Sequence, residues 1–125
     1  MKRILAVSND EQLLKLLHGQ LTDLGFSLDT IAGNDDLVSQ IKERNPDVLV
    51  IDFIFGDENA AAVCHKITSD ENMKDIPVII LSDLPGIDQL GAKLGSFAVI
   101  KKPMTTALLA ENIITALVSQ QSKAT

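Results

Sequence analysis

The chain has no tryptophan, no tyrosine and a single cysteine among its 125 residues. It is also short of positive charge, with 11 Lys and Arg against 17 Asp and Glu, a net charge of −6. Each shortage excludes something. Cys64 alone forms no internal disulfide and builds no cysteine-based zinc site. His18 and His65 stand apart, without metal-ligand spacing. Four Phe, with no Trp or Tyr, give no platform for stacking bases. The acidic balance argues against direct binding of nucleic acid, which depends on neutralising phosphates. No apolar run approaches the roughly 18 residues of a membrane span. The start Met1-Lys2-Arg3-Ile4-Leu5 breaks at Ser8-Asn9-Asp10-Glu11, too early for the apolar region of a leader. The expectation is a cytoplasmic protein without membrane contact.

What remains is enough for one globular domain. At 46% hydrophobic and 22% charged residues, the composition can fill a core. A chain of this size buries about two thirds of its unfolded surface and needs no staple. The domain is expected to span 1–120, with 121–125 as a frayed tail.

Five short apolar runs read as strands: Ile4–Val7, Ser27–Ile31, Val48–Ile51, Val78–Leu81 and Phe97–Ile100. The first, third and fourth are continuous and suit strands covered on both faces. The second alternates and reads as an edge. Helical spacing fills the gaps. The first helix is expected over Asp10–Leu24, with Leu14, Leu17, Leu21 and Leu24 inward, Asn9 as N-cap, Gln12 in its capping box and Gly25 as the stop. The second covers Asp35–Arg44, burying Leu37, Val38 and Ile41, and Asn45-Pro46 ends it. The third covers Asn59–Thr68, with Ala60, Val63, Cys64 and Ile67 inward. The fourth is weak: Ile87, Leu90 and Leu94 have helical spacing, but Pro85-Gly86 precedes them and Gly91 interrupts. The fifth covers Thr105–Val118, with Leu109, Ile113, Ala116 and Leu117 inward. Strand–helix alternation repeated five times, with right-handed crossovers, predicts an α/β domain. The arrangement is the flavodoxin-like (βα)5 three-layer sandwich, a parallel sheet of order 2-1-3-4-5.

In such sheets the site lies beyond the carboxyl ends of the strands, at the switch between strands 1 and 3. Strand 1 delivers Ser8, Asn9 and Asp10 there. Strand 3 delivers Asp52, strand 4 Ser82 and Asp83, and strand 5 Lys101, Lys102 and Pro103. A carboxylate, a hydroxyl and an ammonium converge.

Three segments carry a family resemblance: Pro46-Asp47-Val48-Leu49-Val50-Ile51-Asp52, Ile76-Pro77-Val78-Ile79-Ile80-Leu81-Ser82 and Lys102-Pro103-Met104. In that order and spacing, the chain resembles the response-regulator receiver domain over essentially its whole length. The resemblance implies a non-enzymatic bacterial phosphorelay module, a phosphoprotein. In it Asp52 accepts a phosphoryl group from a histidine kinase or phosphotransfer protein. Ser82 would bond the phosphoryl oxygens and Lys102 would pair with their charge. Mg²⁺ would be held by Asp52, the Ile54 carbonyl, Asn9 and Asp10. It also implies a cis Lys102–Pro103 bond. Output would pass through the helix 4–strand 5–helix 5 face to a downstream partner or a second copy.

The departures from the family pattern are specific. Ser8 and Asn9 stand where receivers carry two acids that hold Mg²⁺, a cation that prefers carboxylates. Metal binding is therefore expected to be weak or absent. Gly56 replaces a common proline, and Asn59-Ala60 a common Asp-Gly. Asp83 replaces a small residue, and Val99 the aromatic that moves with the switch hydroxyl. These changes keep open a second reading, a phosphorylation-independent pseudo-receiver that binds proteins through the same surface. A flavin-binding electron carrier ranks behind both. The acids of Ser8-Asn9-Asp10-Glu11 oppose a phosphate, and Trp and Tyr are missing. Cys64 reads as core, and His18, His65, Lys101 and the acid pairs Asp35-Asp36 and Asp57-Glu58 as surface.

Overall fold

The computed structural model describes residues 2–31, 36–52, 54–55, 58–83, 93, 95–102 and 105–124. The order of elements is β1 (Arg3–Val7), α1 (Glu11–Asp23), β2 (Ser27–Ile31), α2 (Leu37–Arg44), β3 (Val48–Asp52), β4 (Ile54–Phe55), β5 (Glu58–Asn59), α3 (Ala60–Thr68), β6 (Val78–Ser82), β7 (Ala98–Lys101) and α4 (Thr106–Ala124). The element α4 is the fifth helix of the sequence pattern. The expected fourth helix, from Pro85-Gly86 through Ile87, Leu90, Gly91 and Leu94, lies outside the described residues. So do Asp35, Gly56, Asp57, Pro103 and Met104, and with them the Lys102–Pro103 bond.

Five strands form one parallel sheet in the order β2-β1-β3-β6-β7. This is the predicted 2-1-3-4-5 arrangement, and the alternating β2 is an edge as expected. Side chains alternate across each strand, so each continuous apolar run feeds two cores. Leu5, Val7, Leu49, Ile51, Val78 and Ile80 face one way and pack with Leu37 and Ile41 of α2 and Val63, Cys64 and Ile67 of α3. Ile4, Ala6, Val48, Val50, Ile79 and Ile100 face the other way, against Leu17 and Leu21 of α1 and Leu109, Ile113 and Ala116 of α4. Cys64 is fully buried, as its spacing implied.

Local signals fix the ends. Gly25 takes φ +93°, a conformation that L side chains rarely adopt. Its N–H bonds the Thr22 carbonyl at 3.0 Å, and the Phe26 N–H bonds Leu21 at 3.2 Å. This pair of bonds is the Schellman stop. Asn45, left-handed at φ 47°, ends α2 before Pro46. Asp47 then ties the start of β3 to β1: its carboxylate accepts the Arg3 N–H at 2.8 Å, and its own N–H bonds the Arg3 carbonyl at 2.8 Å.

Four details differ from the sequence reading. Asp10, not Asn9, is the N-cap of α1, because its Oδ1 accepts the N–H groups of Gln12 at 3.0 Å and Leu13 at 3.1 Å. Leu24 is 57% exposed rather than inward, because α1 stops at Asp23 and leaves Leu24 as its C-cap. α4 continues to Ala124, beyond Val118 where the apolar period ends. The small antiparallel ladder of β4 and β5 pairs Ile54 with Asn59 and Phe55 with Glu58, where the sequence pattern predicts no strand.

Candidate functional site

The sheet alternation itself assembles the site. Ser8 continues the Ile4–Ala6 side of β1, Asp52 the Val48–Val50 side of β3, and Lys102 the Ala98–Ile100 side of β7. All three therefore extend the face covered by α1 and α4. Parallel register brings the strand ends level: Val7 pairs with Ile51, Asp52 with Leu81 and Ser82 with Lys101. The Lys102 N–H bonds the Ser82 carbonyl at 2.9 Å and so continues the β6–β7 ladder into the site.

Asp52 is 9% exposed and both its oxygens are engaged. Lys102 Nζ donates to Oδ1 at 2.7 Å, a charge-assisted bond. The hydroxyl of Ser8, itself buried, donates to Oδ2 at 2.8 Å. Ser8 Oγ in turn accepts the Asp10 N–H at 3.0 Å. Ser82 is buried at the end of the neighbouring strand β6, one residue beyond Leu81, which pairs with Asp52. Asn9, Asp10 and Asp83 are exposed at the rim, Lys101 points outward, and Ile54 lies in the β4–β5 ladder. Val99 is half-buried against the α2–α3 core.

The structure joins Asp52 to Lys102 and to Ser8, which the sequence places at the site without giving it a bond to Asp52. The signal was there: Ser8 follows β1 at the level where Asp52 ends β3. Beside them opens a groove of about 360 Å³, lined by Leu13, Leu16 and Leu17 of α1 with Asp10, Asp83, Lys102 and Thr106.

The donor set does not suit Mg²⁺. That ion wants oxygen ligands in octahedral order and carboxylates to offset its dehydration. Here the one carboxylate buried among the described residues, Asp52, is neutralised by Lys102 and bonded at both oxygens. Asp10 directs Oδ1 to the helix amides. Among the described residues no three His, Cys, Asp or Glu side chains group together to hold a metal.

Fold and site together define a receiver-type module, a parallel α/β domain with a carboxylate and an ammonium at the carboxyl end of its sheet. Solved structures agree on the fold. A putative response regulator from Chloroflexus aurantiacus superposes with a TM-score of 0.87 at 19% identity, covering 94% of this chain and 98% of that one. The signal receiver domain of a signal transduction histidine kinase from Syntrophus aciditrophicus gives 0.87 at 21%, covering 95% and 92%. Residues 4–114 match the family model described as Response regulator receiver domain, and the chain belongs to that family. It is 28% identical over 82 residues to the phosphate regulon transcriptional regulatory protein PhoB of Rhizobium meliloti, covering 66% of this chain and 36% of the relative. It is 26% identical over 109 residues to the response regulator PleD of Caulobacter vibrioides, covering 86% and 24%. The chain thus spans about a quarter to somewhat over a third of the length of these curated relatives.

Proposed function

We propose that this receiver accepts a phosphoryl group on Asp52 from the phosphohistidine of a histidine kinase or phosphotransfer protein. The observation that carries the reading is the Asp52–Lys102 pair, held at 2.7 Å at the carboxyl end of the sheet. A carboxylate oxygen of Asp52 attacks phosphorus in line, the phosphorus–nitrogen bond breaks, and the histidine leaves as neutral imidazole after gaining a proton. Such transfer is mainly positioning and charge neutralisation. Lys102 supplies a compact positive charge for the phosphoryl oxygens, and Ser82 is assigned the hydroxyl that bonds them. Divalent metal is assigned a weak part at most, since Ser8 and Asn9 replace the usual acids.

Output is assigned to the face of β7 and α4 and the segment before them. On α4, Ile114 and Val118 are 52% and 57% exposed at a four-residue spacing. They offer an apolar contact for a downstream protein or a second copy. The net charge of −6 favours a protein over nucleic acid as the partner. No helix among the described residues is long and apolar enough to cross a membrane, and the cytoplasm is the proposed location.

One observation favours the pseudo-receiver as second reading: Ser8 occupies Oδ2 with a hydrogen bond that an incoming phosphodonor must displace. Incubation with acetyl phosphate, with Mg²⁺ or with EDTA, and intact mass measurement separate the two. The expected result is a gain of one phosphoryl group that Asp52→Ala abolishes. A folded protein that gains nothing under either condition supports the pseudo-receiver instead.

A further inference from the structure

The two oxygens of Asp52 lead to residues that line one groove, Lys102 from Oδ1 and, by way of Ser8, Asp10 from Oδ2. On one side Lys102 Nζ holds Oδ1, and Lys102 lines the groove directly. On the other side a continuous chain of bonds begins at Oδ2. Ser8 Oγ donates to it at 2.8 Å, Ser8 Oγ accepts the Asp10 N–H at 3.0 Å, and Asp10 Oδ1 accepts the N–H groups of Gln12 and Leu13. Leu13 belongs to the α1 wall of the same groove. A hydroxyl that donates to a carboxylate becomes a better acceptor, so the two bonds that meet at Ser8 Oγ strengthen each other.

We propose that Ser8 is a positioning residue that couples the chemical state of Asp52 to the N-terminal turn of α1, and through Leu13 to the groove between α1 and Lys102. The coupling runs through bonds within the chain and needs no cation between them. Phosphoryl transfer to Asp52 converts one carboxylate oxygen to the bridging oxygen of an acyl phosphate, a mixed anhydride, and removes the charge of the carboxylate itself. The charge-assisted bond from Ser8 then loses roughly half its strength, and its grip on the Asp10 N–H weakens. Val99, a branched aliphatic side chain, has no ring to move with Ser82, so the α1 route provides a readout independent of such a movement. The input rests on the acceptor reading above; the coupling rests on the bonds alone.

The test therefore uses unphosphorylated protein. Solvent exchange of the Asp10, Gln12 and Leu13 amides is measured by NMR in four folded proteins: wild type, Asp52→Asn, Ser8→Ala and the double variant. With Ser8 present, Asp52→Asn is expected to speed exchange at these amides about fivefold, the effect of one weakened hydrogen bond, and to leave the Gln40 amide of α2 unchanged. With Ser8→Ala, Asp52→Asn is expected to add nothing. Ser8→Thr, which keeps the hydroxyl, is expected to restore the response. If Ser8→Ala does not fold, Ser8→Cys, with its weaker donor, takes its place under the same criteria. Equal acceleration with and without the hydroxyl overturns the proposal, as does no response in the presence of Ser8. A protein that shows the coupling but takes no phosphoryl group overturns the acceptor reading alone.

Discussion

At the scale of residues, Ser8 has more consequence than its size implies. It satisfies a buried carboxylate oxygen and a helix-terminal amide at once. Ser8→Ala strips Asp52 Oδ2 of its donor in a buried place, and leaving such an acceptor short costs about 1–3 kcal/mol. Urea unfolding should show that loss as a lower midpoint with unchanged slope. The sequence made Asp52 and Lys102 legible as a pair, because each ends a recognisable run. It did not make Ser8 legible as the partner of Asp52, because a serine where the family pattern has an acid reads as a loss until the strand ends are set side by side.

Among the elements, strands were more legible than helix ends. A run such as Val48-Leu49-Val50-Ile51 admits little besides a strand covered on both faces, and all five residues of β3 are buried. The start of α1 was harder. Asn9 and Asp10 are both good caps, and the choice turns on the Asp10 N–H reaching back to Ser8 Oγ, which no local pattern records. Asp10→Ala should therefore destabilise the protein by about 1 kcal/mol, whereas Asp10→Asn, an equal capper, should stay near wild type. Thermal unfolding of the two variants checks the assignment. The β4–β5 ladder is not legible in the sequence, because two-residue strands carry no period. It forms between Asp52 and α3, where a three-residue apolar stretch, Phe53-Ile54-Phe55, is followed at once by Gly56-Asp57-Glu58-Asn59, too short a pattern to set a strand period.

For the whole molecule, the handedness of crossovers and the spacing of five runs were enough to give the sheet order. The sheet divides the interior into two cores, and Cys64 sits within one of them, inaccessible to solvent. Burial raises its thiol above the ordinary 9.0. The unfolded chain thus releases this proton first as pH rises, and the native state binds more protons over that window. Stability is complete below about pH 9 and declines as pH climbs from there towards the native value. The same burial makes Cys64 a reporter. A thiol-reactive disulfide reagent should be inert towards native protein at neutral pH, and its rate should follow the unfolded fraction as urea is added. Fast reaction without denaturant would contradict the packing described.

The position of Asp52 in the strand order has a consequence for synthesis. Ser8 follows the first strand and Lys102 the last, with Asp52 between them in both sequence and space. A chain emerging from the ribosome meets its first donor as soon as β1 and β3 pair. It meets the second only when β7 has been made. A chain cut before Lys102 lacks the ammonium that holds Oδ1, so incomplete chains lack the finished charged centre.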